Sequence, residues 1–74
     1  MDYAERIREL REDNYLNQTA IAKVLNVVQM TYSDYELKKT RIPLESMIKL
    51  AKFYNVNMDY ICGISNEKKP FPLK

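Results

Sequence analysis

The feature that most constrains this chain is a very short connection between two amphipathic segments. Residues 18 to about 25 and about 29 to 37 each carry apolar side chains at helical spacing, and only residues 26–28 separate them. Asn17 precedes the first segment as a predicted N-cap, and Asn26 follows it where a left-handed C-cap is needed. A connection this short makes two consecutive helices cross sharply, so the pattern predicts a helix-turn-helix unit.

Three further helices are predicted around this unit. Residues 3–13 form the first helix, with apolar side chains spaced three and four apart. Pro43 is well placed in the first turn of a fourth helix, and Asn55 is its predicted left-handed cap. Asn57 then caps a fifth helix of about one and a half turns, which Gly63 ends. The apolar side chains expected to face inward in this half are Tyr32, Tyr35, Met47, Leu50, Ala51, Tyr54, Met58 and Ile61.

The size of the chain fits one small domain. Its 74 residues include 1 Gly and 3 Pro, a composition that favours helices over a turn-rich β fold. We therefore expect an all-α fold, a compact bundle of five short helices. The domain is expected to occupy residues 1–63, and residues 64–74 are expected to form a polar C-terminal tail.

The charge is nearly balanced overall but unevenly distributed. There are 12 Lys and Arg residues against 10 Asp and Glu residues, a net charge of +2. Residues 1–28 carry four basic and five acidic side chains, whereas residues 38–74 carry eight basic and three acidic ones. We expect the positive potential to lie on the second half.

Several classes of function are disfavoured by what the chain lacks. It contains no His, the commonest general base and metal ligand, and Cys62 has no second cysteine to pair with. There is no Gly-rich phosphate loop, so we predict no catalytic site, metal site or cofactor. No apolar run approaches membrane-spanning length and no signal peptide opens the chain, which makes the cytoplasm the expected location.

Four segments in order carry a resemblance to a known family. They are RIRELRED, NQTAIAKVLNV, QMTYSDYE and RIPLESMIKLAKFYNVNMDYICG, and together they fall within residues 6–63. This part of the chain resembles the phage-repressor-like (Cro/repressor, or xenobiotic-response-element) class of bacterial and phage helix-turn-helix regulators. The resemblance implies a lambda-repressor-like bundle with the helix-turn-helix at helices 2 and 3. It also implies a nucleoid-associated transcriptional regulator, most simply a repressor, that binds a specific duplex DNA sequence.

The third helix is the predicted reader of base edges, because the major groove of B-DNA admits one α-helix. Gln29 at its start can bond adenine N7 and N6 together, and the resemblance places it at the main base-reading position of the family. Met30 offers an apolar surface to a thymine methyl group. Ser33 can donate or accept a hydrogen bond, and Asp34 can accept from a cytosine amino group.

Phosphate contacts are predicted from the elements that flank the reading helix. The start of the second helix presents unbonded amides, and the resemblance makes Gln18 a clamp on the DNA backbone. The basic loop after the third helix lies beside the flanking phosphates. The full predicted set of phosphate-contacting residues is Asn17, Gln18, Thr31, Lys38, Lys39 and Arg41.

The chain also departs from the family pattern. The family usually has Gly where Asn26 stands and a small hydroxyl residue where Val28 stands. Val28 has no side-chain acceptor, so the third helix is expected to lose an N-cap and one phosphate contact. Asp34 stands where basic or amide residues are common, and phosphates repel its carboxylate.

A module this small contacts few base pairs, so a homodimer on a pseudo-palindromic operator is expected, with reading helices about 34 Å apart. The predicted dimer surface consists of apolar residues left outside the expected core, Tyr60, Ile64 and Phe71. One alternative keeps the fold but makes the chain a protein-interaction module, such as the antitoxin of a toxin–antitoxin pair. Another is that the chain is one domain of a longer protein.

Overall fold

Five α-helices and their connections make up residues 1–72, the part of the chain that the computed structural model describes; Leu73 and Lys74 of the predicted tail lie outside it. The helices are α1 (Tyr3–Asp13), α2 (Gln18–Leu25), α3 (Gln29–Glu36), α4 (Leu44–Tyr54) and α5 (Met58–Ile61). Within residues 1–72 there is no β-strand, so the predicted all-α class is confirmed.

Three of the predicted helix bounds need correction. Pro43 has extended backbone (φ −64°, ψ 149°) and is the N-cap of α4, so it precedes the first turn instead of lying in it. Leu37 is the C-cap of α3, which ends at Glu36. The helix α5 is a single turn of 4 residues, shorter than predicted.

Asparagine residues mark both the starts and the ends of the helices, as their chemistry predicts. The side chains of Asn17 and Asn57 each accept a backbone N–H three residues later, both at 2.8 Å, which confirms them as N-caps of α2 and α5. Asn26 and Asn55 adopt left-handed backbone with φ of 57° and 55°. Asparagine tolerates this conformation better than other non-glycine residues, which explains sharp stops without glycine.

The core lies where all five helices converge. Its fully buried side chains include Ile7 and Leu10 of α1, Ile21 of α2, Tyr32 of α3 and Leu50 of α4. Ile61 completes the core from α5, and Met58 packs against this core but is only half-buried. The two residues stand three apart and so share one face of α5, and the exposed part of Met58 lines a surface groove.

The two ends of the chain are joined by a buried arginine. Arg6 of α1 is 2% exposed, and its guanidinium carbon lies 3.8 Å from the centroid of the Tyr60 ring. The same guanidinium donates to Asn66 Oδ1 at 3.0 Å and to the Ser65 carbonyl oxygen at 3.5 Å. Gly63 permits this close approach, because a Cβ there would collide with the Met1 carbonyl oxygen.

Residues 64–72 lie along the domain. The Asn57 backbone N–H donates to the Lys69 carbonyl oxygen at 2.8 Å, and the Phe71 N–H donates to Asn55 Oδ1 at 3.2 Å. The side chain of Phe71 packs against the core and is half-buried. This segment therefore extends the surface of α4 and α5.

Candidate nucleic-acid interface

Helix α3 has one buried face and one solvent face. Tyr32 and Tyr35 point into the core, where their rings meet edge to face with centroids 6.4 Å apart. Gln29 and Met30 at the first turn are exposed, Met30 by 67%. Thr31, Ser33 and Asp34, three further predicted DNA-contacting residues, are partly exposed. The first turn of α3 is thus the part most available to a partner.

The structure brings Gln18 and Gln29 into direct contact, although they belong to different helices. Gln29 Nε2 donates to Gln18 Oε1 at 2.6 Å. Gln18 Nε2 in turn donates to Glu36 Oε1 at 3.2 Å. The predicted base-reading residue and the predicted backbone clamp therefore form one hydrogen-bonded pair at the junction of α2 and α3.

An ion pair anchors this amide pair from the inner side. Arg11 of α1 donates to both carboxylate oxygens of Glu36, from Nε at 2.7 Å and from Nη2 at 3.1 Å. Arg11 Nη1 also donates to the Leu16 carbonyl oxygen at 3.0 Å, just before α2. Both side chains are largely buried, with 14% and 4% exposure. Two parallel bonds of this kind fix geometry as well as charge.

The surroundings of Glu36 keep its carboxylate ionised. Burial on its own raises the pKa of Glu36, but the hydrogen bonds from Arg11 and Gln18 outweigh it and hold the pKa below its ordinary value. The hydrogen bond to Glu36 raises the pKa of Arg11. Burial, together with the nearby Glu36 carboxylate, raises the pKa of the Tyr32 phenol. At neutral pH the group facing Gln18 is therefore a charged acceptor.

Glu36 ties α3 to α1 and α2, through Arg11 and Gln18. The partnership with Arg11 was not predicted, because the two residues stand 25 positions apart. The available signal was weak: an arginine near the end of α1 and a glutamate at the end of α3.

The start of α3 lacks a side-chain cap. Val28 occupies the N-cap position with extended backbone (φ −76°, ψ 156°), makes no capping hydrogen bond and is 68% exposed. Asn17 at the start of α2 uses Oδ1 to cap the Ala20 N–H. The first turns of α2 and α3 lie close together, where Gln18 of α2 meets Gln29 of α3.

The three basic residues of the following loop do not behave alike. Lys38 has a left-handed backbone (φ 61°), and its Nζ lies 3.2 Å from Asp2 Oδ2 at the start of α1. Lys39 and Arg41 are exposed, and neither forms an ion pair with the residues that the structure describes. Of the three basic residues in this loop, Lys39 and Arg41 are therefore the two that are free to bind an external anion.

The predicted dimer surface is only partly available. Tyr60 was expected to remain outside the core, and this is wrong: it is 9% exposed because the Arg6 guanidinium covers its ring. Phe71 is half-buried, and Ile64 is 79% exposed. Beside them lies an open, mostly apolar groove of about 1130 Å³ between α4, α5 and the C-terminal segment. Its lining includes Ile48, Met58, Phe71 and Pro72.

Across residues 1–72, no group of three or more Cys, Asp or Glu side chains is arranged to hold a metal ion. None of the five helices is long and apolar enough to cross a membrane.

Comparison with known proteins places this geometry in context. A helix-turn-helix family model matches residues 7–61. The cryptic phage CTXphi transcriptional repressor RstR of Vibrio cholerae is 46% identical over 55 residues, covering 73% of this chain and 49% of the repressor. The uncharacterized HTH-type transcriptional regulator YobD of Bacillus subtilis (strain 168) is 31% identical over 68 residues, covering 92% of this chain and 61% of that protein.

A solved structure agrees with these relatives. The crystal structure of a transcriptional regulator from Listeria innocua superposes with a TM-score of 0.81 at 29% identity, covering 89% of this chain and 62% of that one. The chain thus spans about half to three fifths of the length of the relatives it matches.

Proposed function

Because this chain belongs to the helix-turn-helix family, we propose that it binds duplex DNA sequence-specifically and acts as a transcriptional regulator, most simply as a repressor. The observation that carries the proposal is the exposed Gln29 amide at the start of α3, held at 2.6 Å by Gln18 from the start of α2. The relatives named as regulators or repressors support it, and none of those names favours the antitoxin alternative.

Base recognition is assigned to the exposed turn of α3. Gln29 pairs with the N7 and N6 edge of an adenine, and each such bidentate contact discriminates by about 1–3 kcal/mol. Met30, exposed beside it, covers a thymine methyl group. Ser33 and Asp34 are half-exposed one turn further on and read the adjoining pair, with Asp34 accepting from a cytosine amino group.

Backbone contacts position the domain on the duplex. The first turn of α2 carries Gln18 and free amide groups, and Asn17 stands beside it. Thr31 adds a hydroxyl group from α3. Lys39 and Arg41 supply unpaired positive charge on the other side of the reading helix. Lys38 reaches a phosphate only by leaving Asp2, so its contribution is the smallest of the three cations.

A homodimer completes the proposal, since two half-sites give the specificity that one small module lacks. The half-buried Phe71 lines the groove, and the exposed Ile64 directly precedes Ser65, which also lines it. Tyr60 belongs to the core of the same region. The groove also has charges of both signs, from Lys52, Lys69, Asp59 and Glu67. A two-fold interface presents the same surface to itself, so a patch with both signs is self-complementary.

The DNA proposal is tested by selecting bound duplexes from a random pool and then measuring affinity across a salt series. We expect an enriched pseudo-palindrome with adenine at the Gln29 positions, and affinity that falls steeply as salt increases. Binding without any enriched sequence contradicts specific recognition. The Gln29→Ala variant in the same selection should lose the adenine preference.

The dimer is tested separately by sedimentation, with the chain free and on the selected DNA. Ile64→Ser should shift the chain toward monomer and weaken binding to the full palindrome more than to a half-site. Tyr15→Ser is the matched control, because Tyr15 is 96% exposed in the connection between α1 and α2, away from the groove. A wild-type chain that stays monomeric both free and on DNA contradicts the dimer.

A further inference from the structure

We propose that Glu36 determines which base Gln29 selects, by fixing the direction of the hydrogen bonds that pass through Gln18. This inference rests on the proposed function of α3 as a DNA reader. Glu36 would touch no base itself, so it is a positioning residue. The contacts that carry the inference run in series from Arg11 to Glu36, then to Gln18 and finally to Gln29.

The direction of each bond follows from what each group can do. An ionised carboxylate only accepts hydrogen bonds, so Gln18 must turn its N–H₂ group toward Glu36, as it does at 3.2 Å. Its carbonyl oxygen is then the atom left for Gln29. That oxygen only accepts, so Gln29 must present Nε2 to it, at 2.6 Å. One charged acceptor thus fixes two amides in sequence.

Arg11 holds Glu36, the acceptor for Gln18, in one position and in the ionised form. Its guanidinium occupies both Glu36 oxygens, at 2.7 and 3.1 Å, and the pair is largely buried. Arginine only donates, so it holds the carboxylate in the ionised form that accepts. Neither oxygen of Glu36 can become a donor to Gln18 while this pair is intact.

The outcome at Gln29 has a direct consequence for base choice. A free glutamine amide has two N–H donors and one acceptor oxygen. With one N–H bonded to Gln18, Gln29 retains one donor and one acceptor in a fixed order. Adenine matches this set, because its major-groove edge offers N7 as acceptor and the N6 amino group as donor. Guanine offers two acceptors, O6 and N7, which require two N–H groups.

The substitution Glu36→Gln replaces one acceptor oxygen with a donor N–H₂ group and changes the shape of the side chain little. The new oxygen keeps the shorter Arg11 bond, taking the place of Glu36 Oε2, which accepts from Arg11 Nε at 2.7 Å. The N–H₂ group takes the place of Oε1, gives up the bond from Arg11 Nη2 at 3.1 Å, and faces Gln18. Gln18 must then accept from position 36 and offer its own N–H₂ group to Gln29. Gln29 responds by accepting, which frees both of its N–H groups and makes guanine acceptable.

The test measures the ratio of affinities for two versions of the selected duplex, with adenine or guanine at the Gln29 position. We expect the wild-type chain to prefer adenine by roughly 5- to 150-fold, the range of a bidentate contact. Glu36→Gln should reduce that ratio by about fivefold or more. The matched control is Glu12→Gln, because Glu12 is an exposed carboxylate paired with Arg8 on α1 and touches neither glutamine.

Gln18→Ala provides a second variant that leaves the Arg11–Glu36 pair in place. It frees Gln29 from its fixed partner, so the adenine-to-guanine ratio should fall here too, even though lost backbone contact weakens binding to both duplexes. If both variants bind more weakly while the ratio stays at its wild-type value, Glu36 and Gln18 serve only stability or affinity, and the proposal is overturned.

A measurement without DNA separates this inference from the proposed function. The side-chain ¹⁵N–¹H resonances of Gln29 should move in Glu36→Gln, although position 36 does not contact Gln29, and should stay unchanged in Glu12→Gln. Unmoved Gln29 resonances in folded Glu36→Gln overturn the proposal whether or not DNA binds. If no DNA sequence is selected at all, the proposed function fails instead, while the resonances still report whether the amide series exists.

Discussion

Replacing Val28 with threonine should stabilise the domain, although it introduces a polar group. Val28 is the N-cap of α3 and offers no acceptor to the free amides of the first turn. Its backbone (φ −76°, ψ 156°) is close to that of Asn57 (φ −73°, ψ 161°), whose side chain does cap its helix. A threonine hydroxyl at position 28 is therefore already placed to accept the Thr31 N–H.

The size of the effect follows from two opposing terms. A side-chain N-cap contributes about 1 kcal/mol. Val28 is 68% exposed, so about a third of its side chain is buried, which stabilises the fold by about 0.5–1 kcal/mol. Threonine keeps one of the two methyl groups and loses about half of that. The net gain is about 0.5 kcal/mol, or roughly 2–4 °C in Tm for a domain of this size.

The assay is urea unfolding and thermal melting of the wild type, Val28→Thr and Val28→Ala. The alanine variant loses both methyl groups and gains no cap, so we expect it to be about 0.5–1 kcal/mol less stable than the wild type. The two variants differ by the hydroxyl cap and by one methyl group, so we expect Val28→Thr to be more stable than Val28→Ala by about 1–1.5 kcal/mol. Equal stability of Val28→Thr and Val28→Ala would show that the hydroxyl group does not cap α3.

Two other predictions concern stability. Asn57→Asp keeps the N-cap acceptor but removes the N–H₂ group that donates to two carbonyl oxygens of the C-terminal segment. The free energy of unfolding measured in urea should therefore fall by about 1–2 kcal/mol. Asn17→Asp is the control, because the Asn17 side chain acts as a cap without such donated bonds, and it should change the stability little. Because the folded-state pKa of Glu36 is depressed, its contribution is complete above the ordinary value of 4.5 and is lost as pH falls through the folded value. Urea midpoints measured from about pH 7 down to about pH 2 should therefore fall less in Glu36→Gln than in the wild type.

Most of the fold was predictable because its signals are local. N-caps at Asn17 and Asn57 and left-handed stops at Asn26 and Asn55 depend on the chemistry of single side chains and their own backbone. Such signals place helix ends without knowledge of the tertiary structure. The error at Pro43 is of the same local kind, since proline suits both the first helical position and the extended residue before it.

The contacts that were not predicted join residues far apart in the sequence. Arg6 lies on a helix rich in charge, so nothing local distinguishes it from the solvated Arg8 beside it. Its burial depends on Tyr60 and Asn66, which pack against α1 only after the whole bundle forms. The ion pair between Arg11 and Glu36, which holds Gln18 and through it Gln29, was not predicted for the same reason.

The most direct test of base reading by α3 is a double-mutant cycle between Gln29 and one DNA atom. The selected adenine is replaced by 7-deazaadenine, which lacks the N7 acceptor, and affinity is measured for the wild type and for Gln29→Ala. If Gln29 reads the adenine, we expect a loss of about fivefold or more in the wild type and no further loss in Gln29→Ala. Equal losses in both proteins would contradict it, because the N7 atom would then be recognised by something other than Gln29.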